Sequence, residues 1–185
     1  MYSRHDNMRI RVDIPEGTSG DFQIAHYSNE TTDNNWLSYL GNKRENHLTH
    51  TVLLKDGLSM PIMQDSEAEY NEHSWLWENA EGDVLIGGLG IGMTHHVLID
   101  NPKITSVTII EKYQDVIDLV WDNCVKDDRF SIVKADIYTW DIPDGSHWNV
   151  GWFDTWIGDG ELSRYKESMI DKYSMHIDKM NGWFW

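Results

Sequence analysis

Apolar and polar side chains alternate along residues 9–14 (Arg-Ile-Arg-Val-Asp-Ile), the period of a half-buried strand, and residues 21–27 form a second short strand candidate. Residues 49–55, the pair Asp56-Gly57 and residues 58–64 together predict a β-hairpin, because Asp-Gly is a favoured two-residue turn between strands. Pro61 has no amide to give to a ladder, which places the second hairpin strand at a sheet edge. The stretch 29–46 is polar without a clear period and reads as loop.

The texture changes near residue 65. Ser66-Glu67-Ala68-Glu69 fits a capping box and predicts a helix over 66–79. A short apolar strand at 83–86 runs into Gly87-Gly88-Leu89-Gly90-Ile91-Gly92, followed by a helix over 93–99 and a strand over 106–111. Residues 114–124 are amphipathic, with Val116, Ile117, Val120 and Trp121 on one face. Strands are expected at 130–134 and 148–153. Leu162, Tyr165, Met169, Tyr173 and His176 recur at helical spacing, predicting a helix over 161–180. Strands alternating with helices imply an α/β, Rossmann-like parallel sheet. The expected organisation is a β-rich N-terminal region over 1–65 and a ligand-binding domain over 66–185. In such sheets ligands sit beyond the carboxyl ends of the strands, where strand order reverses.

Composition narrows the setting. A chain of 185 residues with 40% hydrophobic residues suits one domain with a small appendage and a real core. The sequence has no apolar run of the roughly 20 residues needed to span a bilayer, and its first residues do not resemble a secretory leader. A single cysteine, Cys124, cannot form an internal disulfide, so a reducing, cytoplasmic setting is expected. The formal charge of −16 repels phosphate backbones, which argues against nucleic acid as a partner and suits cationic small molecules such as amines. The same charge also serves plain solubility. Ten tryptophans are the other departure from ordinary composition, and Trp152 and Trp156 flank Asp154, where an aromatic wall would favour a bound cation.

Three strand ends carry the candidate chemistry. Gly88, Gly90 and Gly92 permit tight turning and a close backbone approach to a ligand, and the helix that follows opens with free amides. Glu111 stands at the end of the next strand, about 20 residues on, where an acidic side chain accepts hydrogen bonds from both ribose hydroxyls. Asp136 closes the third strand and can accept an adenine amino group, with Ile137 flanking the ring; a turn cap is the other reading. Asp154 closes the fourth strand beside the expected ligand, where it can orient a nucleophile or serve as a cap.

These residues together resemble the class I S-adenosylmethionine-dependent methyltransferases. Within that superfamily, Asp56-Gly57, Met63-Gln64-Asp65, Glu69-Tyr70 and His73 resemble the segment that precedes the glycine turn in spermidine synthases, and small phage and environmental domains of that type. The resemblance covers roughly residues 50–157. It implies S-adenosylmethionine, or its decarboxylated form, as cofactor, held by Gly88, Gly90, Gly92, Glu111, Asp136, Ile137 and Asp154. Asp154 would be catalytic, with Tyr70 assisting. Spermidine synthases carry an aspartate in the glycine turn where this chain has Ile91, and they continue past the fourth strand. This chain is expected to be C-terminally shortened, with residues 181–185 adding at most one short strand.

Other chemistries lack support in the sequence. His95 and His96 are neighbours and point about 100° apart on a helix, so they read as surface side chains and not as a chelating pair. His47, His50 and His73 have no recognised zinc spacing, and no metal is expected. Gly-x-Ser-x-Gly and Gly-Lys-Ser/Thr motifs are absent, against hydrolase and nucleotide-kinase readings. The expected function is methyl transfer to a small molecule. Aminopropyl transfer to a polyamine and a non-catalytic binding module are the alternatives. An open sheet edge and a C-terminal aromatic cluster favour a homo-oligomer.

Overall fold

The computed structural model describes residues 10–28, 49–155, 162–183 and 185. Its centre is a parallel sheet of five strands: β5 (Gly82–Gly87), β6 (Ile104–Glu111), β7 (Phe130–Lys134), β8 (Trp148–Phe153) and β9 (Ile177–Gly182). Their spatial order is β7-β6-β5-β8-β9, so the chain first builds outward from β5 on one side and then returns to the other. Strand order therefore reverses between β5 and β8, the place where open α/β sheets leave a crevice. Val84, Leu85, Ile86, Val150, Trp152 and Phe153 are buried, as expected of strands covered on both faces.

A second, antiparallel sheet has the order β1 (Gly17–Ser19), β2 (Phe22–Ser28), β3 (Thr49–Lys55) and β4 (Met63–Gln64). It docks against α4 (Gln114–Val120): Ser19 Oγ donates to Asp115 at 2.7 Å, and the rings of Phe22 and Tyr113 lie 4.8 Å apart. Phe22, Ile24, Leu53 and Met63 share one buried cluster with Val84, Ile86, Met93 and Val116. The two sheets thus have a common core across residue 65. A second cluster on the other side of the parallel sheet packs Phe153 and Ile137 against Tyr165, Met169 and Tyr173 of α5 (Leu162–Tyr173).

The structure departs from the patterning in four places. Residues 10–16 form no ladder, although Val12 and Ile14 are buried. Their alternation reflects burial under Asp65: Oδ2 accepts from the Val12 amide at 3.0 Å and Oδ1 from the Thr51 amide at 2.9 Å, while the Thr51 hydroxyl donates to the Val12 carbonyl at 2.7 Å. The predicted hairpin has a wider loop than two residues. Only Met63 and Gln64 pair with β3, and the Asp56 amide donates across to Asp21 instead. Third, the helix over 66–79 is two short helices, α1 (Glu67–Glu72) and α2 (Ser74–Asn79), separated at His73. The Ser66 hydroxyl caps α1 through the Glu69 amide as predicted. Fourth, the last helix stops at Tyr173, and His176 leads into β9, whose exposed Asp178 and Lys179 make a charged edge. Residues 29–46, His47 and Trp156 fall outside the described residues.

His95 corrects the sequence reading in a different way. It lies on α3 (Met93–Leu98) with no exposure at all, packed on Trp121 and Phe130, its Nδ1 facing the Val125 carbonyl at 3.2 Å. Burial pushes its pKa down to about 4. His96, its neighbour, is half-buried. Packing on Trp121 and Phe130 thus turns His95 inward, against the surface placement expected from two adjacent histidines.

Two stability predictions follow from these buried polar groups. Asp65→Asn replaces one acceptor oxygen with a donor facing a backbone amide, and should lower the unfolding free energy in urea by about 1–3 kcal/mol. An unchanged denaturation midpoint would show that the carboxylate does not hold the N-terminal segment. His95 has a depressed value in the folded state, so its contribution is fully present above the ordinary histidine pKa of 6.5 and lost as pH falls toward 4. Acidification through that window should cost on the order of 3 kcal/mol from this residue alone. His95→Gln should flatten that part of the stability profile; a profile parallel to wild type would refute the assignment.

Candidate active site

At the reversal point the carboxyl ends of β5 and β8 are locked together. The Asp154 amide donates to the Gly87 carbonyl at 3.0 Å, and the Gly88 amide donates to Ile110 at the end of β6 at 2.9 Å. Gly88 has φ 98°, and a Cβ there would lie 2.5 Å from the Asp154 carbonyl oxygen, so this position admits only glycine. A cavity of about 350 Å³ opens beyond these strand ends. Gly88, Gly90, Glu111, Asp136, Ile137 and Asp154, all named from the sequence, line it.

Two sequence candidates lie elsewhere. Gly92 starts α3 with φ 72° and packs on Cys124, whose thiol burial pushes up to about 12. It serves the turn without lining the cavity. Tyr70 also lies outside the lining, stacked on Trp77 at 5.5 Å between ring centroids, and burial raises its pKa. Ile91 fills the core with no exposure, and its amide points at Met63 Sδ at 3.5 Å. An apolar residue in this turn is therefore a packing choice.

Glu111 is buried and holds the glycine turn in place. One carboxylate oxygen accepts from the Leu89 amide at 2.9 Å and the other from the Tyr113 amide at 2.7 Å. Burial raises its pKa, and the amides that bond to it act in the opposite direction. Each oxygen retains a second lone pair for a ligand. Asp136 caps a turn by accepting from the Tyr138 amide at 3.0 Å, and its other oxygen pairs with Lys112 at 2.9 Å. Burial pushes the Asp136 carboxyl up, but Lys112 and the Tyr138 amide outweigh it and leave the carboxyl below its ordinary range. The cap and the cavity position thus coexist in one residue.

Across the cavity, α1 brings two groups to Asp154. His73, 1% exposed, places Nε2 3.3 Å from Asp154 Oδ2. Its Nδ1 lies 2.9 Å from the Glu69 carbonyl, which only accepts, so Nδ1 carries a proton. Trp77 stacks on one face of that ring at 5.4 Å, and Trp152 approaches at 5.1 Å. The Glu69 carboxylate completes the group, one ligand-type atom from each of Glu69, His73 and Asp154 lying within 4.8 Å of the others. Burial first, then Asp154 and Glu72, holds the Glu69 carboxyl well above its ordinary value.

Several lining residues had no signature in the sequence. Phe22 and Leu53 come from the antiparallel sheet and Tyr165 from α5, whereas Met63 belongs to the segment already singled out before the glycine turn. They reach the cavity through long-range packing, which a local pattern does not encode. A further exception is Lys112, whose position directly after Glu111 marks it as a neighbour of the same strand end.

No protein-family model matches the chain, and no curated protein matches it. Solved structures do. A dimethyladenosine transferase from Plasmodium falciparum is 17% identical with a TM-score of 0.40, over 55% of this chain and 35% of that one. A candidate RNA methyltransferase from Pyrococcus horikoshii is 15% identical with a TM-score of 0.49, over 62% and 59%. A candidate S-adenosylmethionine-dependent methyltransferase from Streptococcus mutans is 10% identical with a TM-score of 0.45, over 71% and 37%. The chain spans less than two thirds of the length of each. The likeness is one of α/β fold, which the strand order β7-β6-β5-β8-β9 establishes by itself.

Proposed function

We propose that the chain binds S-adenosylmethionine in the cavity at the strand ends and transfers its methyl group to a small molecule. The observation that carries this reading is the convergence of Gly88, Glu111, Asp136 and Asp154 on one cavity from four consecutive parallel strands. Glu111 would accept ribose hydroxyls with its remaining lone pairs. Asp136, neutralised in part by Lys112, would accept the adenine amino group, with Ile137 against the ring. Trp152 supports a bound ligand independently: its Nε1 donor is buried and has no hydrogen-bond partner among the described residues, on a side chain that lines the cavity.

S-adenosylmethionine supplies an activated methyl group on a sulfonium, and in-line displacement there requires mainly alignment. Asp154 would orient the acceptor nucleophile and receive its proton. The Asp154 carboxylate, with the chain's formal charge of −16, suits a cationic amine acceptor. Tyr70 would then act only through its packing on Trp77. Aminopropyl transfer from decarboxylated S-adenosylmethionine to a polyamine uses the same cofactor contacts. A second reading is favoured by the cavity's size. About 350 Å³ is near the lower end of ligand pockets, which suits a reaction in which the cofactor is cleaved without a second substrate.

Calorimetry with S-adenosylmethionine, its decarboxylated form and both nucleoside products tests the binding claim. Saturable binding is expected, and Glu111→Ala should weaken it by at least about tenfold, or 1.4 kcal/mol. No binding at millimolar concentration would end every catalytic version and the cofactor-binding module alike. Product analysis separates the reactions. S-adenosylhomocysteine is expected. Methylthioadenosine would replace methyl transfer by aminopropyl transfer if it required an amine, and by cofactor cleavage if it did not. Binding without turnover over a panel of amines would leave a non-catalytic module.

A further inference from the structure

The geometry points to a divalent metal site formed by Glu69, His73 and Asp154, for a zinc-type ion held by one imidazole nitrogen and two carboxylates. Glu69 and His73 are four residues apart at the end of α1 and so share one helix face. Asp154 meets them from the end of β8, and the three ligand-type atoms lie within 4.8 Å of one another. The His73 Nε2 to Asp154 Oδ2 separation is 3.3 Å. Two ligand atoms each about 2.0–2.1 Å from a tetrahedral ion are separated by about 3.3–3.4 Å.

The proton assignment on His73 gives an independent reason. Nδ1–H donates to the Glu69 carbonyl, which turns Nε2 of a side chain 1% exposed toward the Asp154 carboxylate. A positive charge between these two atoms, a metal ion or a proton on Nε2, relieves the contact, and the tetrahedral spacing fits the ion. A backbone carbonyl on the far ring nitrogen is also the usual arrangement behind a metal-bound imidazole, since it fixes the tautomer and the ring plane. Among the described residues no lysine or arginine pairs with Glu69 or Asp154.

Three protein ligands leave a fourth position open, and His73 and Asp154 both line the cavity. An ion there would present that position to an oxygen or nitrogen of a bound molecule. It would also tie α1 to the end of β8. The site shares Asp154 with the proposed transferase site, where a bound ion would take over the contact with the acceptor, while Glu69 and His73 have no part in holding ribose or adenine.

The test uses the full chain, freed of metal by chelation and without nucleoside. Titration with zinc chloride, and separately manganese chloride, is followed by calorimetry and by the thermal unfolding midpoint. One zinc ion per chain is expected, with a midpoint that rises with zinc. Glu69→Gln and Asp154→Asn should each weaken zinc binding by about 10–100-fold. His147→Ala, which removes the exposed His147–Asp178 pair, should leave it unchanged. X-ray absorption of the zinc-loaded protein should show only nitrogen and oxygen neighbours at about 2.0–2.1 Å, including an imidazole. No saturable binding at millimolar zinc would overturn the site, as would a sulfur neighbour or full binding by the double variant Glu69→Gln/Asp154→Asn. Circular dichroism of the variants shows whether a loss reflects unfolding. If one variant fails to fold, the absorption spectrum of the wild type decides. A failure here leaves nucleoside binding, measured without metal, standing.

Discussion

The whole site depends on how closely β5 and β8 approach at their carboxyl ends. The Asp154 amide is bonded to the Gly87 carbonyl, and the next residue, Gly88, passes so near the Asp154 carbonyl that no side chain fits. A parallel sheet forces the strands on either side of the reversal to send their chains in opposite directions, which leaves a gap above that contact. The glycine turn goes one way and the Asp154 segment the other. Glu111 then fixes the far edge of the gap by accepting from both the Leu89 and Tyr113 amides. The same atoms that define the cavity floor therefore also hold the sheet's central strands in register.

The antiparallel sheet is the other half of the enclosure. Met63 covers Gly90, and its sulfur stands where a Cβ of residue 90 would be. Asp65, two residues later, holds β3 and the Val12 segment by backbone amides, so the strand that bears Met63 is fixed from the next turn of chain. From there the chain enters α1, and the His73 ring lies between the Glu69 carbonyl and Asp154. His73, at the junction of α1 and α2, is thus the point where this helical segment meets the strand end.

Most of the parallel sheet was legible in the sequence, because buried strands write their apolar runs locally. The strands at 130–134 and 148–153 match the structure residue for residue. Glu111, Asp136 and Asp154 were legible for the same reason, as the polar residues that end such runs. What failed were features decided at long range. The alternation of residues 10–14 arises from hydrogen bonds to Asp65, 53 residues away from Val12, and not from a ladder partner. His95 looked exposed because adjacent polar residues on a helix usually are, yet tertiary packing on Trp121 and Phe130 buries it. The helix pattern through His176 hid the start of β9, since a chain leaving a helix can retain its period for one more turn while Ile177 already pairs beside Trp148. His73 was visible as a residue, but its contact with Asp154 is decided by tertiary packing.

The provenance of the cavity walls has a consequence for how the molecule is made. Phe22, Met63, Asp154 and Tyr165 meet at one place from four distant parts of the chain. Contacts of such wide sequence separation demand the closure of long loops before they return any energy. A partly folded chain holding only the β5–β6–β7 unit would have the glycine turn and Glu111 without a roof or a far wall. A molecule that touched all four walls would therefore meet its complete site only in the finished fold.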